Sequence, residues 1–169
     1  DNRLTLNAAF FDNEHKDMQV AYFTAEQAAA SVVLNNSADQ SGFELEAVAL
    51  LSDTLQFTLN YGSLDSEYTE SVLAPDGFSP DLFPYAPESM IFASLEKDFG
   101  NYRMRLDHSR IGEHNAFPYS RLDPRSALTH VEKRAITDFR LLMSPMDNLD
   151  LTFWIKNLTD ESYVVNMIP

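Results

Sequence analysis

Leu149, Leu151, Phe153 and Ile155 alternate with Asp150, Thr152, Trp154 and Lys156, and the run then breaks into the polar stretch Asn157-Leu158-Thr159-Asp160-Glu161-Ser162-Tyr163. Successive side chains of a strand point to opposite faces, so a period of two describes a strand with one greasy and one wettable side. The same layout recurs along the chain. Leu4, Leu6, Ala8 and Phe10 oppose Arg3, Thr5 and Asn7, and Met18, Val20 and Tyr22 resume the same parity beyond the polar patch at 12–17, so one long strand is expected over about 3–23. A return strand is expected over about 31–51, interrupted near 35–41. Leu55, Phe57, Leu59 and Tyr61 then oppose Thr54, Gln56, Thr58 and Asn60, the cleanest amphipathic strand in the sequence. Strand character returns at 90–95, at Tyr102, Met104 and Leu106 opposite Arg103, Arg105 and Asp107, and at Ala135, Thr137, Phe139, Leu141 and Met143 opposite Asp138 and Arg140.

What lies between these seven segments is equally regular. Residues 24–30 form a connection, and Ser52-Asp53 forms a tight turn. Residues 69–88 carry Pro75, Pro80, Pro84 and Pro87 with Gly77, and 112–130 carry Pro118 and Pro124. Proline lacks the ladder donor, so both stretches read as long loops. Lys97 to Asn101 and Pro145 to Asn148 are brief turns. Long connections at one end and short ones at the other are how an outer-membrane barrel is threaded. The expected fold class is therefore all-β: an antiparallel up-and-down meander, a partial transmembrane β-barrel of about seven strands. A soluble lipocalin-like barrel binding a small apolar ligand inside is the alternative that the pattern leaves open.

Composition narrows the function. With 12 Lys and Arg against 26 Asp and Glu the formal charge is -14, which opposes nucleic-acid phosphates; no nucleic-acid partner is expected. There is no cysteine, hence no disulfide framework, thiolate nucleophile or cysteine metal site. No run approaches the roughly 18 apolar residues of a spanning helix, which says nothing against strands. His15, His108, His114 and His130 are scattered, so no metal site is expected. Asp107, His108 and Ser109 are neighbours on a strand and point to alternate faces, which rules them out as a triad. Neither an enzyme nor a bound cofactor is expected.

Several of these segments resemble the C-terminal half of the barrel of TonB-dependent outer-membrane receptors. Leu151 to Tyr163 is similar to that family's penultimate-strand signature, a hydrophobic strand followed by Asn-Leu-Thr/Phe-Asp and an aromatic residue. Asn36 through Gly42-Phe43-Glu44-Leu45-Glu46, then a short turn and an aromatic-rich strand ending Asn60-Tyr61-Gly62, resembles another stretch, and Ala9-Phe10-Phe11 leading to Asp17-Met18-Gln19-Val20 also fits.

The resemblance implies a receptor of the bacterial cell outer membrane, surrounded by outer-membrane lipid. Such a receptor imports a scarce small-molecule nutrient or metal chelate, such as a siderophore, with energy passed from TonB. The family also has a plug domain, a TonB box and a final strand, and none of these is found within 1–169. The chain is therefore expected to be a fragment of the barrel domain, with TonB engaged through the plug.

On that reading Glu44, Glu46, Arg103, Arg105 and Asp107 are expected to face a watery lumen. Loops carried on a rigid barrel hold function, and aromatics with a few polar groups suit solute capture. The candidates are Phe78, Phe83 and Tyr85 in the first long loop, and His114, Phe117, Tyr119 and Arg121 in the second. Trp154 shares the polar side with Asp150 and Lys156 and is less promising.

Overall fold

A computed structural model describes residues 3–23, 31–70 and 79–164. In chain order they form β1 (Leu4–Phe23), β2 (Ser31–Ser52), β3 (Leu55–Glu70), β4 (Ser89–Asp98), β5 (Tyr102–Ile111), β6 (His114–Asn115), α1 (Pro124–Leu128), β7 (His130–Val131), β8 (Arg134–Met146) and β9 (Leu149–Ile155). Seven of these make one antiparallel sheet in the order β1-β2-β3-β4-β5-β8-β9, so each strand lies beside its sequence neighbour, while β6 and β7 pair separately inside the second long loop.

The register explains why the alternation matters. Leu4, Ala49, Phe57, Leu95, Leu106, Phe139 and Ile155 are successive cross-strand partners and form an unbroken apolar row over all seven strands. One residue along, on the opposite face, Gln56, Glu96, Arg105, Arg140 and Trp154 form a wettable row. Since a slip of one residue would exchange the two sets, the pairing is strongly specified.

The apolar side is not a core. Phe10 is 83% exposed and Phe153 is 56% exposed, and Leu4, Leu6 and Ile155 are also open. Among the described residues the buried apolar side chains are Val20, Leu34, Ala38, Ala116, Tyr119 and Val131, all at the end that carries the long loops. The loops fold toward the wettable side: Phe83 stacks at 4.4 Å on Tyr68, which shares its face with Gln40 and Ser66 through the register of β2 and β3. Phe57, Leu59, Met104 and Phe153 therefore do not meet inside a compact body. The open sheet with an uncovered greasy face is a partial barrel, and among the described residues it encloses no apolar interior of the kind a lipocalin-like carrier needs.

Strand lengths fit a wall that rises past a membrane. At about 3.3 Å per residue the 20-residue β1 and 22-residue β2 are roughly 65–75 Å long, well beyond an apolar band of about 25 Å. The band ends where the sequence changes. Phe10, Phe43 and Tyr61 neighbour one another on the apolar face, with ring centroids 4.8 and 6.4 Å apart, and the row beyond them is Asp12, Ser41 and Asp65. Phe99 stacks on Tyr102 at 4.6 Å beside the opposite, short-turn end. Aromatic rings bounding an apolar belt suit the two interfaces of a bilayer.

Three expectations are corrected in detail. The return strand runs through 35–41 without a break, because the polar residues there continue to pair, with one irregularity at Ser37/Ala38. Nor do Met18 and Val20 keep the face of Leu4 to Phe10: a bulge between His15 and Met18, in which Asp17 takes a φ of 55°, shifts the register by one, and they pair with Asn36 and Leu34 on the opposite side. And β3 reaches Glu70, past the expected start of the loop, since beyond the belt a strand needs partners but not grease.

Candidate ligand-capture site

The described part of the first long loop, 79–88, and the second long loop are built as one unit. Asp81 joins them: its carboxylate accepts from the Arg121 backbone N–H at 2.7 Å and the Ser120 hydroxyl at 3.3 Å, while the N–H groups of Asp81 and Leu82 donate to the Tyr119 carbonyl at 3.4 and 3.1 Å. Pro84 bridges to Asn115, and the Tyr85 N–H donates to the Asn115 carbonyl at 2.8 Å. Beneath them Tyr119 is 2% exposed, with the Arg125 guanidinium 4.7 Å above its ring.

Arg125 is fixed from the other side by Asp123. That carboxylate takes the Arg125 side chain at 2.6–3.1 Å and its backbone N–H at 2.8 Å, so Asp123 is the N-cap of α1 with Pro124 just inside the helix. The Arg125 hydrogen bonds hold the Asp123 carboxyl below the usual carboxylate range. Where the unit meets the wall, burial under Phe83 pushes the Tyr68 phenol up to about 12.

These contacts sort the seven loop candidates. Phe83 is spent on the Tyr68 stack, Tyr119 is buried under Arg125, and Phe117 leans on Tyr119 at 6.1 Å. Phe78 lies outside the described residues. Tyr85, His114 and Arg121 remain presented: Tyr85 is 57% exposed at a φ of 54°, its ring 6.1 Å from His114. The His114 Nδ1–H donates to the Gly112 carbonyl at 3.2 Å, which leaves Nε2 for an outside partner. The Arg121 side chain is exposed. A residue with a side chain rarely takes a positive φ, and here the Asn115 and Pro84 bonds impose it and turn the ring outward.

The five wall candidates all fall on one face. Glu46 pairs with Asn7 and Asn60 across the strands, its carboxylate accepting from the Asn7 amide at 3.4 Å, and Glu44 lies two residues away on the same side. Arg103 reaches Glu96 at 3.5 Å and Asp98 at 3.0 Å, and Arg105 reaches Asp107 at 2.8 Å and Glu96 at 3.9 Å. Below the loops the inner face is thus a charged, mutually bonded lattice near the short-turn end and a pair of carboxylates without a cationic partner, among the described residues, nearer the loops. Asp107 and Asp138 stand opposite each other, an arrangement tolerated because Asp107 takes Arg105 and Asp138 accepts the Asn157 N–H at 2.8 Å.

The Asn157 bond explains the segment after β9. Asn157 has a φ of 52°, its amide donates to the Glu161 carbonyl and its side-chain oxygen accepts the Glu161 N–H, both at 2.9 Å. The Leu158 N–H reaches the Thr137 carbonyl at 2.7 Å. Asn157 therefore holds the bend. The sequence reading passed over α1 and the β6/β7 pair, although Asp123-Pro124 is a helix-start signal.

The wall and its threading find close counterparts among solved structures. The ferric yersiniabactin uptake receptor FyuA from Yersinia pestis matches with a TM-score of 0.73 at 22% identity, over 96% of this chain and 23% of that one. The ferric-catecholate import receptor Fiu from K12 E. coli matches at 0.73 and 19% identity over 99% and 22%, and the copper transporter OprC at 0.72 and 15% over 97% and 24%. The chain has the fold of the TonB-dependent receptor barrel wall. It spans about a quarter of the length of these structures. No protein-family model matches, and no curated protein matches. The TonB-dependent receptor fold puts the long loops and the short turns at opposite ends of the wall, as in the sheet described above.

Proposed function

We propose that this chain is a stretch of the barrel of a bacterial outer-membrane receptor. The receptor takes up a scarce small-molecule nutrient, a metal chelate of the siderophore kind, with energy passed from TonB through a plug domain that lies outside 1–169. The observation that carries this reading is the unbroken apolar row from Leu4 to Ile155, none of it buried and Leu4, Leu95, Leu106 and Ile155 open, backed by a wettable face onto which the loops fold. The solved structures of the same fold are an uptake receptor, an import receptor and a transporter, which supports transport over catalysis.

Within that reading Tyr85, His114 and Arg121 form the external capture surface, with Phe117 on the same loop as His114 and Arg121, while Phe83 and Tyr119 hold its shape. Glu44, Glu46, Arg103, Arg105 and Asp107 line the lumen. A ring-bearing or chelated solute would stack on Tyr85 and accept from Arg121 or His114. The test is solute binding and uptake by cells bearing the full-length protein. Tyr85→Ala is expected to weaken binding about tenfold, the loss of one exposed aromatic contact and its rigid presentation, with folded protein in the outer membrane unchanged. Equal binding by Tyr85→Ala and Arg121→Ala would remove this surface from the site, and a protein found only in soluble fractions would remove the receptor reading.

A further inference from the structure

Arg110 is a cation on the greasy side. Through the register it stands between Ile91 and Ala135, in line with the apolar side chains of β5, Met104 and Leu106, and next to His108 on the same face. His108 is held by Thr137, Nδ1 to Oγ1 at 3.0 Å. Both residues are exposed. Among the described residues no carboxylate pairs with Arg110, and its neighbours on that face, Ile91, Ala93, Ala135 and Thr137, are uncharged. The acidic residues of the same face, Asp12 and Asp65 with Glu14, Asp39 and Glu67, are confined to β1–β3. Arg103 and Arg105, by contrast, point to the other side and are bonded to carboxylates.

The height of Arg110 decides what can meet it. It lies eight residues beyond Tyr102, the ring stacked on Phe99 at the short-turn end. That is about 26 Å along the strand and about 20 Å in height at the ~40° tilt of such walls, within a belt of about 25 Å. An arginine at mid-depth would be strongly destabilising, but one just inside the far edge can lay its stem along the belt and raise the guanidinium to the headgroups. The group found there in quantity, and matched to a guanidinium by charge and fork geometry, is phosphate.

We infer that Arg110, with His108 beneath it, is an outward-facing site for the phosphate of a membrane lipid headgroup at the loop end of the wall, a claim that rests on the membrane-facing reading above. Arg110 donates to two phosphate oxygens from its planar fork. His108, pinned through Nδ1 to Thr137, offers Nε2 to the same headgroup. The lipid thereby occupies the strip over β5 and β8, between the acidic outer surface of β1–β3 and the wall beyond β9.

The full-length protein in phosphatidylcholine discs doped with phosphatidic acid tests this by native mass spectrometry of bound lipid. Arg110→Gln is expected to bind phosphatidic acid about fivefold more weakly, the worth of one interfacial cation. Arg110→Lys should keep most of the affinity, Arg140→Gln on the opposite face should keep all of it, and excess inorganic phosphate should not displace the lipid. Wild-type affinity in Arg110→Gln, or an equal loss in Arg140→Gln, would overturn the site while leaving the wall in the membrane. Displacement by inorganic phosphate would overturn the lipid as its occupant. A wild-type protein that stays outside the discs would overturn both readings.

Discussion

Gly42 is closely packed on the wall. A Cβ there would run into the Phe11 ring and the Ser63 carbonyl, because Phe11 lies across its direct partner Gly42 on the inner face. Gly42→Ala should cost about 1–3 kcal/mol, as overpacking does, read as a lower heat-unfolding midpoint. Phe11→Ala in the same chain should recover part of the loss, though not the part due to the Ser63 carbonyl. At Gly62 nothing lies within 4 Å of an added Cβ, so Gly62→Ala is expected to be nearly neutral in the same assay. Tyr68 offers a second residue-scale test. Its folded-state pKa of about 12 lies above the ordinary tyrosine value of about 10, so the folded form holds the proton more tightly. The stabilisation is complete below about pH 10 and is lost as pH rises toward 12. Ultraviolet difference absorbance should show a tyrosine that ionises near pH 12, and Phe83→Ala should lower that midpoint.

The elements were legible to the extent that one side of them is greasy. Leu55, Phe57, Leu59 and Tyr61 declared β3 by alternation, and Leu149 to Ile155 declared β9, because on the proposed membrane-facing reading hydrocarbon demands an apolar residue at every second place. Beyond the belt that demand lapses. Thus β3 from Ser63 to Glu70 and β2 from Asn35 to Ser41 remained hidden, although both are paired strands. The loop candidates were legible as residue types but not as roles. Phe83 finds Tyr68, and Asp81 finds Arg121, across distances in sequence that no periodicity encodes. The two faces make unequal demands, and this can be measured within one strand. Leu59→Arg places a charge on the apolar row and should cost about 2–4 kcal/mol if that position is near mid-depth. Thr58→Arg, one residue away on the wettable face, should cost less than 1. The folded fraction after reconstitution, scored by heat-modifiable gel mobility, checks the pair.

At the scale of the molecule, the same sheet is a soluble barrel if its greasy side turns inward and a membrane wall if it turns outward, and the loops decide between these. They pack onto the face of Tyr68 and leave that of Phe10 and Phe153 open, so among the described residues the buried apolar side chains gather at one end and the greasy face covers no core. The charge of -14 is then carried by the loops, the inner face and the strand extensions past the belt, all of which meet water. Residues 1–169 hold no cysteine, so, with any cysteine elsewhere in the full-length protein replaced by serine, single cysteines can be introduced and spin-labelled one at a time from Leu55 to Tyr61 in bilayers. The account predicts that labels at 55, 57, 59 and 61 are reached by oxygen dissolved in the lipid, and that those at 56, 58 and 60 are reached by a water-soluble nickel chelate. The opposite alternation, or water access at both sets, would contradict it.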